Sequence, residues 1–116
     1  RIVNFSSITA FDGGGTFSKI AYAGAKAAVI GLSRGGAREL GQYGITRNTI
    51  CPGPVDTDIM GGKLTDDRKD LMSSNVPVGR VSSPADQAAV VNFLLSEEAA
   101  FVSGATLNVD GGKHMR

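Results

Sequence analysis

Residues 21–40, AYAGAKAAVIGLSRGGAREL, decide the fold class, because they predict one long helix between two strand-like runs. Apolar and small residues recur along it at spacings of three and four, which is typical of an amphipathic helix, here from about residue 21 to residue 43. The preceding run IVNFS (2–6) and the following run ITRNTIC (45–51) are rich in strand-forming residues. A helix between two such strands predicts a parallel pair with a right-handed crossover. The predicted buried stripe of the helix comprises Ala25, Val29, Leu32, Gly36 and Leu40.

The second half of the chain adds a further helix and a further strand. Ser83 is a candidate N-cap for a helix from about 84 to 98. The run GATLNVDGG (104–112) predicts a short third strand and a glycine turn. The intervening residues 54–82 predict a long loop with a weak helical patch near 67–74. This order of elements predicts an open α/β sheet, and ligands of such sheets bind beyond the carboxyl ends of the strands.

Composition favours one folded domain and gives no sign of a polyanionic or membrane partner. The 116 residues carry a formal charge of +1 with no run of like charge, so we expect no nucleic-acid partner. No apolar stretch approaches the length of a membrane span and no leader-like segment opens the sequence. We therefore expect no membrane partner, and a cytoplasmic protein unless an address has been removed. Cys51 is expected to be a small buried residue and His114 a solvated tail residue, and no metal site is predicted.

The long helix contains four glycines, at positions 24, 31, 35 and 36. Each costs about 1 kcal/mol relative to alanine in a helix interior. Small residues let another backbone approach closely. We therefore expect this helix to lie tightly against a sheet, another helix or a second subunit.

Tyr22 and Lys26 stand four residues apart among alanine and glycine, so a helix makes them neighbours on one face. A free phenol ionises near pH 10, which is a poor match for proton exchange at neutral pH, and a nearby cation favours the phenolate. The pair therefore predicts a proton donor or acceptor tuned by a cation. The alternative is a chance pair on an exposed helix.

Four motifs follow one another along the chain: NFSS (4–7), YAGAK (22–26), ITRNTICPGPVDTD (45–58) and GATLNVDGG (104–112). Together they resemble the carboxyl-terminal half of the short-chain dehydrogenase/reductase family, and most nearly its 3-oxoacyl-acyl carrier protein reductase type. The resemblance implies an α/β fold, the carboxyl-terminal half of a Rossmann-like doubly wound parallel sheet, with three strands and two main helices in this chain. It also implies that residues 1–116 are the catalytic and substrate half of a single domain, and that the amino-terminal cofactor-binding half is absent from this chain.

The resemblance implies roles for three polar side chains. Tyr22 matches the family's tyrosine, which gives a proton to the substrate oxygen as hydride arrives, or accepts one in the reverse direction. Lys26 matches the lysine that binds the nicotinamide ribose and favours the tyrosinate. Ser7 matches the serine that hydrogen-bonds the substrate carbonyl and the developing alkoxide. Ser6 is the alternative if the register differs by one residue.

The same resemblance implies a cofactor surface at residues Pro52, Gly53, Val55 and Thr57. These match the family's Pro-Gly loop, whose backbone lies along the nicotinamide and whose threonine reaches the carboxamide or the phosphates. Val55 is the expected main-chain contact to the carboxamide. With the tyrosine and the lysine, these residues imply NADP or NAD as cofactor without distinguishing the two. The implied function is an NAD(P)-dependent oxidoreductase that interconverts a carbonyl and an alcohol of a small-molecule substrate.

Arg47 departs from the family's pattern, a glycine-rich run imitates another motif, and a second function stays open. Arg47 stands where the family more often has an apolar residue, which predicts an unusually exposed strand. The run GGGTFS (13–18) lacks the third glycine of a dinucleotide fingerprint, so we interpret it as a substrate-side loop rather than a phosphate loop. The alternative function is a noncatalytic half-domain, a truncated fragment or assembly module that has lost cofactor binding. Family members commonly form dimers or tetramers through the long helix and through the last helix and strand, so the resemblance implies a homo-oligomer.

Overall fold

The computed structural model describes residues 1–15 and 19–115, and its centre is a three-stranded parallel sheet. Ile2 lies opposite Arg47 in the register of the first pair. The predicted parallel α/β sheet is confirmed, and all three strands point their carboxyl ends to the same edge. In spatial order the strands are β1 (Ile2–Phe5), β2 (Arg47–Pro52) and β3 (Thr106–Val109).

Within the described residues, four α-helices accompany the strands: α1 (Thr9–Asp12), α2 (Ile20–Leu40), α3 (Asp66–Ser73) and α4 (Pro84–Leu95). The crossover helix α2 ends before the predicted boundary, because residues 41–43 tighten into a 3-10 turn that Gly44 closes at φ 72°. The α4 helix begins as predicted, with a capping box between Ser83 and Asp86. The single turn α1 was not predicted, and Gly13 ends it in the left-handed conformation at φ 78°. Residues 16–18 of the predicted glycine-rich loop lie outside the described residues.

The buried residues of β2 include one packed in an apolar cluster and one whose polar side chain is hydrogen-bonded. Cys51 is fully buried in a cluster with Ile8 and Ile30, so its prediction as a small buried residue is confirmed. Asn48 is also fully buried, and its amide oxygen accepts the Ala105 N–H at 3.0 Å. Its amide nitrogen donates to a second backbone group of the segment that enters β3. These bonds fasten β3 to β2.

The face of α2 that packs on the sheet differs from the predicted stripe. Ile30 and Ser33 are buried, whereas Leu32 is 61% exposed. Ser33 accepts a hydrogen bond from the side-chain amide of Asn4, a β1 residue, at 2.8 Å. The placement of Leu32 on the buried face is therefore wrong. Alanine and glycine occur on every side of this helix, so apolar spacing alone does not fix its rotation.

Packing within the chain accounts for one of the four α2 glycines. A Cβ at Gly36 would lie 2.8 Å from Arg47 Cδ, whereas a Cβ at any of the other three would meet nothing within 4 Å. The second-subunit explanation for those three stays a prediction. Arg47 lies across Gly36, and the next four residues of β2 are buried. The prediction of an unusually exposed strand is therefore wrong.

The long connection between β2 and α4 is closed at its base. Val55 and Ser82 form an isolated parallel bridge, and the Asp56 N–H donates to the Ser82 carbonyl at 2.8 Å. The predicted helical patch is α3, whose Lys69 Nζ lies 2.8 Å from Asp56 Oδ2. This hydrogen bond raises the pKa of Lys69. The two ends of this connection are therefore hydrogen-bonded to each other, and α3 is attached to them by the Lys69–Asp56 ion pair.

The surface of the described residues leaves apolar helix faces and strand edges uncovered. Strands β1 and β3 each pair on one side only within this part of the chain. No helix among these residues is long and apolar enough to cross a bilayer. The uncovered apolar helix faces carry the exposed side chains of Ile20, Leu32, Phe93 and Leu95.

Candidate active site

The first turns of α2 place Tyr22 and Lys26 side by side. Lys26 Nζ lies 5.7 Å from the centroid of the Tyr22 ring, which is within cation–π range. The same ammonium donates a hydrogen bond to the carbonyl of Phe5, the last residue of β1, at 3.1 Å. Tyr22 is 41% exposed and Lys26 is half-buried. The pair is thus fixed to the carboxyl end of β1, with its phenol open to a ligand.

The two serines that follow β1 have different environments. Ser6 is 4% exposed, and its hydroxyl donates to the Lys26 carbonyl at 2.7 Å, inside the packing of α2 on β1. Ser7 is half-buried at the start of the next loop. Its hydroxyl donates to Thr9 Oγ1 at 3.1 Å and accepts the Thr9 N–H at 3.2 Å. Of the two hydroxyls, that of Ser7 is the more accessible from outside.

The Pro52–Gly53 turn lies at the carboxyl end of β2, beside both neighbouring strand ends. The Ile8 N–H donates to the Pro52 carbonyl at 3.2 Å, and the Gly53 N–H donates to the Val109 carbonyl at 3.2 Å. A Cβ at Gly53 would lie 2.7 Å from Asp110 Cβ, so only glycine lets the turn approach β3 this closely. The structure therefore brings this turn to the same sheet end as the active-site serine candidate.

Val55 and Thr57 lie along the loop that leaves β2. Val55 belongs to the bridge that closes the loop base. Thr57 comes immediately before a 3-10 turn, Asp58–Met60, which Gly61 closes at φ 91°. Both residues are half-buried. The structure places one at the base of the loop and the other beyond it.

The sequence interpretation predicted a glycine turn after β3 but missed the side-chain contacts of residues 110–114. Asp110 is 7% exposed, and its carboxylate accepts the Gly112 N–H at 3.0 Å and the His114 N–H at 2.7 Å. The His114 ring stacks on Phe11 in α1, with centroids 5.1 Å apart and planes inclined at 16°. The interpretation of His114 as a solvated tail residue is therefore wrong. The available signal was the Asp-Gly-Gly run, because an aspartate often folds back onto an amide two residues later.

A cleft of about 290 Å³ opens between the loop base, the turn after β3 and the start of α4. Arg80 binds Asp86 there through two hydrogen bonds of 2.7 and 2.9 Å, and Asp86 also accepts the Ser83 N–H at 2.7 Å. The Arg80 and Ser83 bonds hold the pKa of Asp86 well below its usual range. The cationic side chain of this cleft is therefore already paired within the chain. The described residues contain no group of three or more His, Cys, Asp or Glu placed to hold a metal ion.

Comparison with known proteins identifies the family. A family model described as Enoyl-(Acyl carrier protein) reductase matches residues 1–114. Over 115 residues the chain is 44% identical to the 3-oxoacyl-[acyl-carrier-protein] reductase FabG of Vibrio harveyi, covering 99% of this chain and 46% of that protein. The chain belongs to the short-chain dehydrogenase/reductase family. This dehydrogenase/reductase chain is also 40% identical over 114 residues to the (3R)-3-hydroxyacyl-CoA dehydrogenase of Rattus norvegicus, covering 98% of this chain and 43% of the relative.

A solved structure carries the same fold. It is the crystal structure of a blue fluorescent protein from a metagenomic library in complex with NADPH, with a TM-score of 0.87 and 35% identity. The likeness covers 99% of this chain and 45% of that one. The predicted family and the Rossmann-like α/β fold of this short-chain dehydrogenase/reductase chain are therefore confirmed. The chain spans about half the length of the relatives it matches.

Proposed function

We propose that this chain carries the catalytic part of an NAD(P)-dependent oxidoreductase that interconverts a carbonyl and an alcohol, with Tyr22 as the general acid/base. The observation that carries the proposal is the position of Lys26, whose ammonium is anchored on the Phe5 carbonyl and lies 5.7 Å from the Tyr22 ring. A cation fixed beside a phenol favours the phenolate, the form that accepts a proton from an alcohol. The family membership of the chain supports the same reaction class.

The two serines after β1 have different proposed roles: Ser7 binds the substrate, and Ser6 holds α2 against β1. Ser7 keeps its oxygen at the Thr9 N–H, so only its hydroxyl hydrogen has to turn from Thr9 Oγ1 to a substrate oxygen. Tyr22 gives its proton to the same oxygen, and Lys26 stabilises the phenolate that remains. Ser6 holds the first turns of α2 against β1 through the Lys26 carbonyl.

NAD or NADP would supply or receive the hydride when bound, and the residues present fit such a group. Dinucleotides bind at the carboxyl ends of parallel strands, where the Pro52–Gly53 turn presents its backbone. Lys26 has two ammonium hydrogens besides the one given to β1, and these suit ribose hydroxyls. We assign the carboxamide side of the cofactor to the main chain of Val55 and the side chain of Thr57. The NADPH in the solved relative supports the choice of a nicotinamide dinucleotide as cofactor.

A Tyr22→Phe variant tests the acid/base role in the protein purified at its natural length. The substitution removes the hydroxyl and keeps the ring beside Lys26. We expect NADPH consumption at 340 nm to fall about 10²-fold or more, while NADPH binding, followed by fluorescence, is retained. Tyr43→Phe is the matched control, since Tyr43 is 70% exposed in the turn after α2, and its turnover should equal that of the parent. Equal turnover in Tyr22→Phe and the parent refutes the role.

The substrate panel for this assay begins with 3-oxoacyl groups on acyl carrier protein or CoA. The names of two relatives, a 3-oxoacyl reductase and a 3-hydroxyacyl dehydrogenase, place a carbonyl and an alcohol at the same carbon of an acyl chain. Simple ketones complete the panel. If the protein turns over simple ketones and none of the 3-oxoacyl compounds, acyl substrates are excluded and the carbonyl–alcohol reaction is supported.

We also propose the organisation of the protein around this chain. Residues 1–116 would be the catalytic and substrate half of a single Rossmann-like domain, with the adenosine end of the cofactor held outside this sequence. We further propose a cytoplasmic homo-oligomer, a dimer or tetramer that covers the open face of α2. The 46% coverage of the reductase relative supports the half-domain, and the 61% exposure of Leu32 supports the oligomer. Native mass spectrometry of the natural-length protein measures the chain mass and the number of copies.

The uncovered apolar helix faces also favour a second candidate, a noncatalytic half-domain that serves as an assembly module. The two candidates differ in cofactor use. Absence of both NADPH binding and NADPH consumption across the whole panel, by folded natural-length protein, would favour the assembly module. Consumption with any substrate of the panel excludes it.

A further inference from the structure

Two side chains at the end of β3 clamp the backbone of His114. Asp110 Oδ2 accepts the His114 N–H at 2.7 Å, and the Asn108 side-chain amide donates to the His114 carbonyl at 2.6 Å. The other carboxylate oxygen of Asp110 accepts the Gly112 N–H at 3.0 Å. A carboxylate supplies both acceptors at once, and its hydrogen bonds are charge-assisted. The turn 110–114 is therefore held in one position relative to the sheet.

The His114 ring connects this turn to the segment after β1. It stacks on Phe11 with a centroid distance of 5.1 Å. Phe11 packs against the apolar core cluster, and its N–H donates to the Ile8 carbonyl at 2.9 Å. Ile8 follows Ser7 directly in the chain. A continuous set of contacts thus runs from the Asp110 carboxylate to the residue beside the proposed active-site serine.

We propose that Asp110 is a positioning residue for the loop that carries Ser7, acting through His114 and Phe11. Asp110 touches none of the proposed reacting atoms. Its carboxylate sets the position of the His114 ring, and that ring limits where α1 and the residues before it settle. The role in catalysis rests on the function proposed above, whereas the positioning itself is a property of the chain that is measured without substrate.

The Asp110→Ala variant tests the carboxylate alone, because it removes the two acceptor oxygens and keeps the packing of the Cβ. Alanine keeps the Cβ that faces Gly53, so the turn after β2 retains its neighbour. Loss of the carboxylate should speed amide exchange at Gly112 and His114 about tenfold or more. Exchange at Phe11 should also speed up, while exchange at Gly53 stays unchanged. A general loss of stability would instead speed exchange at all four amides. The measurement is hydrogen exchange followed by NMR on the protein at natural length.

A second variant tests the contact between His114 and Phe11, and a third is the control. His114→Ala keeps the Asp110 carboxylate and removes the stacked ring, so we expect faster exchange at Phe11 and unchanged exchange at Gly112. Asp12→Ala is the matched control, because Asp12 makes the same kind of bond to an amide two residues later, at 2.8 Å, in an exposed turn. It should leave exchange at Gly112 and His114 as in the parent. If Asp110→Ala does not fold, His114→Ala still tests the link to Phe11.

Turnover then tests the catalytic consequence. Asp110→Ala and His114→Ala should each lower kcat/KM for the carbonyl substrate about tenfold, and the double variant should be no worse than either, because both act through one set of contacts. The KM for NADPH should stay unchanged, and Asp110→Asn, which keeps one acceptor, should recover part of the loss. Unchanged Phe11 exchange in both single variants, or faster exchange at Gly53 in Asp110→Ala, overturns the positioning role. A parent protein without turnover that still shows the exchange pattern overturns the proposed function and leaves the positioning intact.

Discussion

Gly53→Ala places a methyl group where the ends of β2 and β3 leave no room. The new Cβ would lie 2.7 Å from Asp110 Cβ, 2.9 Å from Asp110 Cα and 3.3 Å from its carbonyl oxygen. None of these atoms is the free end of a flexible side chain, so the strain is relieved only by moving the turn away from β3. Overpacking of this kind costs about 1–3 kcal/mol, and we expect the free energy of unfolding to fall by that amount.

Urea unfolding of the natural-length protein measures this loss, with Gly41→Ala as the control. A Cβ at Gly41 meets nothing within 4 Å, and its backbone is helical at φ −57°, so alanine there should raise the free energy of unfolding by about 0.5–1 kcal/mol. The same two variants differ in function, because displacement of the turn after β2 should raise the KM for NADPH in Gly53→Ala alone. Equal stability of Gly53→Ala and the parent would refute the described packing of this turn on β3.

Two further predictions concern single hydroxyls and one carboxylate. Ser6→Ala should lower the free energy of unfolding by about 1 kcal/mol with little change in kcat, whereas Ser7→Ala should lower kcat with little change in the free energy of unfolding. Urea unfolding and NADPH consumption measure the two effects. The opposite assignment of the two effects would make Ser6 the substrate-binding serine. The pKa of Asp86 is lowered in the folded state, so the stability that its ionised form contributes is complete above about pH 4 and is lost as pH falls further. The difference in unfolding free energy between the parent and Asp86→Asn should therefore be constant from about pH 5 to 8 and shrink below pH 4, and a difference that grows on acidification would contradict the lowered pKa.

The order of elements was predictable because each element leaves a local pattern in the sequence. Apolar residues recur every second position in the strands and every third or fourth position in the helix, and a helix between two strands favours a parallel pair. The start of α4 was predictable to the residue, since Ser83 with a proline after it is a strong N-terminal signal. The four-residue spacing of Tyr22 and Lys26 likewise predicted their adjacency on α2.

The features that the sequence did not predict depend on contacts between distant residues, or are too short to leave a local pattern. The rotation of α2 is set by Ser33 meeting Asn4 and by Gly36 meeting Arg47, and neither pair is visible in the apolar spacing. The stack of His114 on Phe11 joins opposite ends of the chain, so no periodicity reports it. The short helix α1 has a single turn, which is too little for a periodic signal.

The anchor of Lys26 on the Phe5 carbonyl makes this part of the site indifferent to the identity of residue 5. Every amino acid carries the same carbonyl, so no substitution at position 5 deletes the acceptor as long as β1 keeps its path. The Phe5 side chain is 50% exposed and takes no part in that bond. Position 5 is therefore free to diversify in a mutational library while the ammonium stays in place, whereas position 26 is not.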